Sequence, residues 1–444
     1  MNTGYNIISK LQAHGFQAFF VGGYVRDKLL GLPPNDVDIA TNANLEELLK
    51  IFPCAEIIGA AFSVALINNI EVATFRIDGP YSDARHPDYI KTVDTLKEDL
   101  ARRDFTINAL AESLDGAIID YFDGQKDLKD RIIRFVGDPQ KRIEEDPLRM
   151  IRACRFAAKI NGVIEPNSFK AIKENAEKIL GLSAERKQAE IITIMSYEQR
   201  NIALNLLNEC NLLKYFIEEM SVLVGFEQNK YHLEDCWKHS VDTCLALKKA
   251  DTKLRLAAWL HDVGKPESFG INEKNERTFY NHERFSAIIA EKILKELKFS
   301  NEYIAFITEI IGFHMDFLLL SKIDERRVRR QLSKLCHCKI RDLLRMQLAD
   351  ILGNSRELFT KKQIQQDLKD TLKIIRATER SDAAVKLKDL KINGTDLMQE
   401  FKLKPGPIIK KILEACLDQV INEPENNTRE NLLNFSAKFI EDFS

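Results

Sequence analysis

Two aspartates, one residue apart and just behind a double-glycine turn, restrict this chain more than any other feature in it. The segment VGGYVRDKLLG sets Gly22 and Gly23 between an apolar strand and a short helix that ends at Gly31. Glycines there let backbone N–H groups approach a phosphate, with Arg26 one turn into the helix. PNDVDIAT follows at once, and Asp36 and Asp38 alternate on a predicted strand, so their carboxylates point the same way. Carboxylates crowded on one face repel unless a cation lies between them, and Mg²⁺ prefers hard oxygen ligands while keeping positions open for substrate phosphates. Such a pair would hold ions that activate a 3′-hydroxyl and stabilise a leaving pyrophosphate.

The surrounding pattern divides the chain in two kinds of sequence. AFFVGG, SVALI, IEVATFR and GAIIDYF read as strands and LEELLKIF as a helix, whereas helical periodicity dominates after Asp138-Pro139. The expected class is α+β, a mixed-sheet head followed by an all-α remainder. Four parts are expected: residues 1–140, 141–225, 226–355 and 356–444. Eight cysteines without a CxxC pair imply reduced thiols in a cytosolic protein, and neither a bilayer-spanning apolar run nor a signal-peptide pattern occurs. Net charge is −2, so overall charge does not announce a nucleic-acid binder. Charge is uneven, however: residues 131–160 carry 8 Lys/Arg against 4 Asp/Glu, and residues 383–411 carry 7 Lys against 3 acids. Such patches suit phosphates, as they also suit a solvated helix face.

GGYVRDKLLG with NDVDIAT, then EDLARRDFTINAL, then EEDPLRMIRACRF, resemble in order the motifs of the class II tRNA nucleotidyltransferase and bacterial poly(A) polymerase family. LSAERKQAEIITIM resembles that family's later neck motif, and INGTDLMQEFKLKPGP the tail of its CCA-adding members. The resemblance implies a polymerase-β-type head, Asp36 and Asp38 as catalytic Mg²⁺ ligands, and Gly23, Arg26 and Arg103 at the nucleotide phosphates. Glu71, on IEVATFR, is a candidate third carboxylate. Asp104 is expected to cap a helix TINALAES or to buttress an arginine.

In EEDPLRMIRACRF, Asp146-Pro147 reads as a helix start, and Arg149, Arg152 and Arg155 form a stripe at spacing three. A carboxylate accepts from the exocyclic amine of cytosine or adenine, while an arginine donates to ring acceptors; uracil and guanine offer a carbonyl where the amine would be. Asp146 and Arg149 are thus expected to select C and A without a nucleic-acid template, as the family does. Arg152 and Arg155 complete the expected nucleotide-binding set, with phosphate or structural roles. Asp83, Arg85, His86 and Pro87 resemble the acidic-basic element of the family's flexible loop, which speaks against addition of C alone.

A second constellation stands downstream. His239, His261-Asp262, His282, His314 and Asp350 form an H…HD…H…H…D series resembling the HD phosphohydrolase superfamily. Imidazole and carboxylate ligands suit one or two divalent transition-metal ions, which lower the pKa of bound water. His337, between Cys336 and Cys338, reads as surface or packing. KPGP (Lys404 to Pro407) opens a helix with lysines suited to an RNA backbone. The expected activity is addition of CMP and AMP from CTP and ATP to the 3′ end of tRNA. An A-adding enzyme, a poly(A) polymerase, or an HD phosphohydrolase with the head as RNA-binding module stay as alternatives.

Overall fold

The computed structural model describes residues 2–33, 36–59, 63–79, 89–230, 232–316, 319, 323–354, 359–381 and 384–441. The loop element read at Asp83 to Pro87 lies outside them. The chain forms two compact units, Met1–Ser221 and Val222–Ser444.

The first unit is built on a seven-stranded sheet in the order Glu56–Gly59, Val64–Ile67, Ile70–Thr74, Asp38–Thr41, Ala18–Val21, Leu110–Glu112, Ile118–Asp120. Neighbours run antiparallel except the pair Asp38–Thr41 and Ile70–Thr74, where Asp38 lies opposite Glu71. That exception needs a crossover, which the helix Leu45–Ile51 supplies; its start is fixed by a capping box between Asn44 and Glu47. The strands anticipated from sequence are all present. TINALAES is not a helix: Thr106–Asn108 makes one 3₁₀ turn and Leu110–Glu112 is a strand paired with Ala18–Val21. Leu110 and Ala111 are fully buried there, so packing between sheet neighbours overrides the helical tendency of alanine and leucine. Helices follow, chiefly Pro139–Glu145, Leu148–Ile160, Pro166–Glu174, Ala184–Ser196 and Arg200–Glu209. The helical periodicity after Pro139 is interrupted at Asn175, between the α-helix Pro166–Glu174 and a 3₁₀ turn, Ala176–Gly181.

In the second unit, helices Cys236–Ala246, Thr252–Leu260, His282–Glu296, Asn301–Phe313 and Ile340–Gly353 pack together, with a short hairpin, Phe269–Ile271 against Arg277–Phe279, at their side. The later helices Gly394–Phe401, Pro407–Asn422 and Arg429–Glu441 close on a separate apolar cluster that includes Leu397, Ile412, Cys416, Val420 and Leu432. Among the described residues, no helix is long and apolar enough to cross a membrane.

Candidate active sites

In the first unit, acidic groups gather where the two central strands run side by side. Asp38 opens its strand, Asp36 stands exposed just before it rather than within it, and Glu71 is the register partner of Asp38. Burial raises the Asp38 carboxyl above its usual range; Arg103 pulls it back, and Glu71 and Asp36 push it further up. Three carboxylates gathered so that two of them push the Asp38 carboxyl up, with oxygen donors alone, are a donor set that fits a hard divalent cation.

Arg103 is placed by the turn. Gly22 sits at φ 68°, and a Cβ there would lie 2.5 Å from the Arg103 guanidinium. Only glycine both takes that backbone and leaves room for the arginine. Arg103 Nη2 is 3.6 Å from Asp99, while its Nε is buried without a hydrogen-bond partner among the described residues. Arg26, expected at the phosphates, turns inward instead. It is 5% exposed, donates to Asp27 and Asn108, and stacks on the Phe156 ring. Gly23 begins the helix that carries it.

The arginine stripe also resolves residue by residue. Arg152 pairs with Asp104, the buttressing foreseen as one of that aspartate's two roles. Burial alone would raise the Asp104 carboxyl, but Arg152 and the Asn108 amide bring it down to about 2. Arg155 bonds Glu190 at 2.6 Å. Arg149, 9% exposed, donates to Glu145 and to the Arg142 carbonyl rather than to its i−3 neighbour Asp146. Asp146 accepts from the Leu148 backbone through Oδ1, as a helix cap does, and from Arg186 at 2.7 Å through Oδ2. Glu145 and Arg186 were not singled out from the sequence. The consecutive acids before Pro147 were the available signal for the first; nothing in spacing links Arg186 to a carboxylate forty positions away.

In the second unit the six residues of the HD series converge. His239 Nε2 lies 2.9 Å from Asp350 and 3.6 Å from Asp262; His261 Nε2 lies 3.2 Å from Asp262; His282 Nε2 is 3.3 Å from Asp262 and 3.2 Å from His314 Nε2. His261, His282 and His314 each turn Nδ1 to a backbone carbonyl three residues back, at 2.8, 2.9 and 2.6 Å, which leaves Nε2 as the nitrogen that faces the centre. Burial works against a charged His261, yet Asp262 and Asp350 carry it up to about 10; burial, with His261 and His282 beside it, pushes His314 down to about 3. Asp262 is 1% exposed, and among the described residues neither of its oxygens makes a well-directed hydrogen bond. Four imidazoles and the Asp350 carboxylate, gathered with the buried, under-satisfied Asp262, fit a divalent transition metal.

Lys265 reaches Asp262 from one helical turn on and donates to Gln228 at 2.6 Å. The spacing Asp262 to Lys265 was visible in HDVGK but given no role. Gly264 between them is pressed against the next helix: its N–H donates to Ser286 Oγ at 2.9 Å, and a Cβ would meet the Ser286 nitrogen at 2.3 Å. The cluster floors a cleft of about 1120 Å³ walled by Phe279, Tyr280, Met315 and Phe359, with Arg277, Arg327 and Lys361 also lining it. His337 lies elsewhere, its backbone N–H bonded to Glu309. Lys404, Lys410 and Lys411 are exposed at the KPGP helix start.

Residues 18–134 match the Poly A polymerase head domain, residues 163–223 the probable RNA and SrmB-binding site of polymerase A, and residues 285–436 a putative tRNA nucleotidyltransferase domain 2. The chain is 31% identical to the CCA-adding enzyme of Lactococcus lactis subsp. cremoris (strain MG1363), over 98% of this chain and 96% of the relative. It is 32% identical to that of Ligilactobacillus salivarius (strain UCC118), over 98% and 96%. Its fold is similar to the Bacillus stearothermophilus CCA-adding enzyme in complex with CTP, with TM-score 0.73 and 26% identity over 99% of this chain and 98% of the other.

Proposed function

Since the chain belongs to the CCA-adding enzyme family, as identity above 30% along nearly its whole length shows, we propose that it adds CMP, CMP and AMP from CTP and ATP to the 3′ end of tRNA, releasing pyrophosphate. The observation that carries this reading is the placement of Asp38 beside Glu71, with Arg103 held near by the Gly22 turn, in a chain that matches such enzymes end to end.

Asp36 and Asp38 would hold Mg²⁺, which when bound activates the 3′-hydroxyl and neutralises charge on the departing pyrophosphate. The protein's own part is placement. Arg103 would contact the triphosphate, with the Gly23 backbone beside it. Asp146 would accept from the amine of C or A and reject the carbonyl of U or G, while Arg149 donates to the ring. Arg186 would hold Asp146 at the required angle, and the ion pairs of Arg152 and Arg155 would keep the selecting helix fixed. We assign catalysis to residues 1–140, selection to 141–225, a metal-binding HD region to 226–355 and tRNA backbone contact to 356–444, in a cytoplasmic protein.

The test uses Mg²⁺, labelled CTP or ATP, and three tRNA transcripts ending before CCA, after C and after CC. Extension of all three to CCA is expected. Extension of the CC-ending transcript alone by one A would make the protein an A-adder, and long A tails would make it a poly(A) polymerase.

The second unit supports a second reading. The convergence of His239, His261, Asp262, His282, His314 and Asp350 under an open cleft favours a metal-dependent phosphohydrolase acting on nucleotide phosphates. A bound ion would supply activated water; Lys265 would steady Asp262, and the cleft's aromatic and basic side chains would hold base and phosphate. Phosphodiesterase activity on 2′,3′-cyclic nucleotides, lost in Asp262→Asn, is the expected result.

A further inference from the structure

His239 faces carboxylates from both of its ring nitrogens. Nε2 looks toward Asp350 and Asp262, the centre described above. Nδ1 looks the other way, 3.6 Å from Glu234 Oε1. The same Glu234 oxygen is 3.7 Å from Nδ1 of His232, whose ring packs edge-on against His239 at a centroid distance of 4.8 Å. Among the described residues neither Nδ1 has a hydrogen-bond partner, although both atoms are buried. His239 is 1% exposed and the Glu234 side chain 2%. Burying polar nitrogens without partners is costly, so a fold that keeps two aimed at one carboxylate oxygen calls for something between them.

The spacing says what would fit. Metal–nitrogen and metal–oxygen bonds near 2.1 Å in a tetrahedral site put neighbouring ligand atoms roughly 3.4 Å apart. The distances of 3.6 and 3.7 Å are close to that, whereas direct hydrogen bonds would need about 2.7–3.2 Å. A water molecule hydrogen-bonded to two of these atoms at about 2.8 Å each would hold them roughly 4.5 Å apart, wider than the 3.6 and 3.7 Å here. A cation satisfies three lone pairs at once.

We infer that His232 Nδ1, Glu234 Oε1 and His239 Nδ1 form a second cation site, outside the first and sharing His239 with it. The inference rests on reading the histidine–aspartate cluster as a metal centre. Two nitrogens and one oxygen suit Zn²⁺ or Co²⁺ better than Mg²⁺. Three protein ligands leave a fourth position, and His232, which lines the cleft, puts the site at its wall, where a substrate oxygen or water would complete the shell. With ions on both nitrogens the His239 ring is an imidazolate, so filling the outer site expels its last N–H proton to solvent.

The experiment loads the full-length protein with Zn²⁺, removes excess by dialysis, and measures metal per chain for wild type, Glu234→Gln, His232→Asn and Asp262→Asn. Glu234→Gln keeps the shape of the side chain, and circular dichroism confirms that each variant is folded. Glu234→Gln and His232→Asn should each hold one ion fewer than wild type, and Co²⁺-loaded samples should lose part of the visible absorption of a four-coordinate ion. Wild-type stoichiometry in both variants, with loss only in Asp262→Asn, overturns the outer site and leaves the inner one standing. A wild type that retains no Zn²⁺ overturns both.

Discussion

The Asp146 carboxylate is held 2.7 Å from the guanidinium of Arg186, a residue forty positions further along the chain, and not by its helical neighbour Arg149. One oxygen caps the backbone and the other meets the arginine, so the acid is oriented from two sides before any nucleotide arrives.

Arg186→Ala removes the charged hydrogen bond but leaves the cap. Bonds of that kind are worth roughly 1.5–3 kcal/mol, so preference for CTP over UTP should fall by about ten- to hundredfold. Asp146→Ala should erase it while triphosphate binding persists. Single-turnover rates with CTP, ATP, UTP and GTP check both; full exclusion of UTP and GTP in Asp146→Ala would sink protein-based selection.

Asp38→Asn should reduce nucleotide addition by at least a thousandfold, since the transferred charge loses its metal anchor. Metal content of the second unit should not change, because none of its ligands lies in the first. Parallel assays of CMP addition and retained Zn²⁺ separate the two; joint loss would show that the units do not act independently.

Arg152→Ala strips a buried carboxylate of its partner. Breaking such a pair costs about 3–5 kcal/mol, to be read from urea unfolding at pH 7. The Asp104 carboxyl stands at about 2 in the folded protein against 3.8 ordinarily. A lowered acid stabilises the fold above its unfolded value and ceases to do so as pH falls from about 4 to 2. The gap between wild type and Arg152→Ala should therefore narrow across that window, and a gap that stays constant would exclude the pair as its source.

In metal-free protein, His261 stands at about 10, above its ordinary 6.5. A raised histidine stabilises the fold at low pH and loses that contribution as pH rises from about 6.5 to 10. Metal needs the neutral ring, so affinity for Zn²⁺ should climb across the same interval, by up to tenfold per pH unit for this group. Isothermal titration in two buffers of different protonation enthalpy measures the released proton, and pH-independent binding without proton release would rule this out.

The candidate chemistry was legible where an ordered motif names the residues that act together, even when they stand far apart in the chain. The strand carrying Asp38 and the convergence of four histidines with Asp262 and Asp350 follow from motif and spacing. What sequence leaves dark is set by three-dimensional neighbours. Leu110–Glu112 looks helical in isolation and is a strand because Ala18–Val21 lies open beside it. Arg26 looks poised for phosphate and is drawn inward by Asp27, Asn108 and Phe156. Arg186 and Glu234 have no periodic signature at all, since one serves a carboxylate on another helix and the other faces a ring nitrogen across a turn.

Gly264 gives the second unit a point of failure that holds no ligand of its own. Its missing side chain lets the turn bearing Asp262 lie against the start of the helix that begins with His282. Alanine there would wedge the two apart by about an ångström or more, beyond the ±0.2 Å tolerance of a metal's bonds. A lineage with no further use for a metal at this cluster would therefore not have to erase a histidine. Drift at one unadorned position would disarm the centre, and the six residues that make it look alive would be left in place.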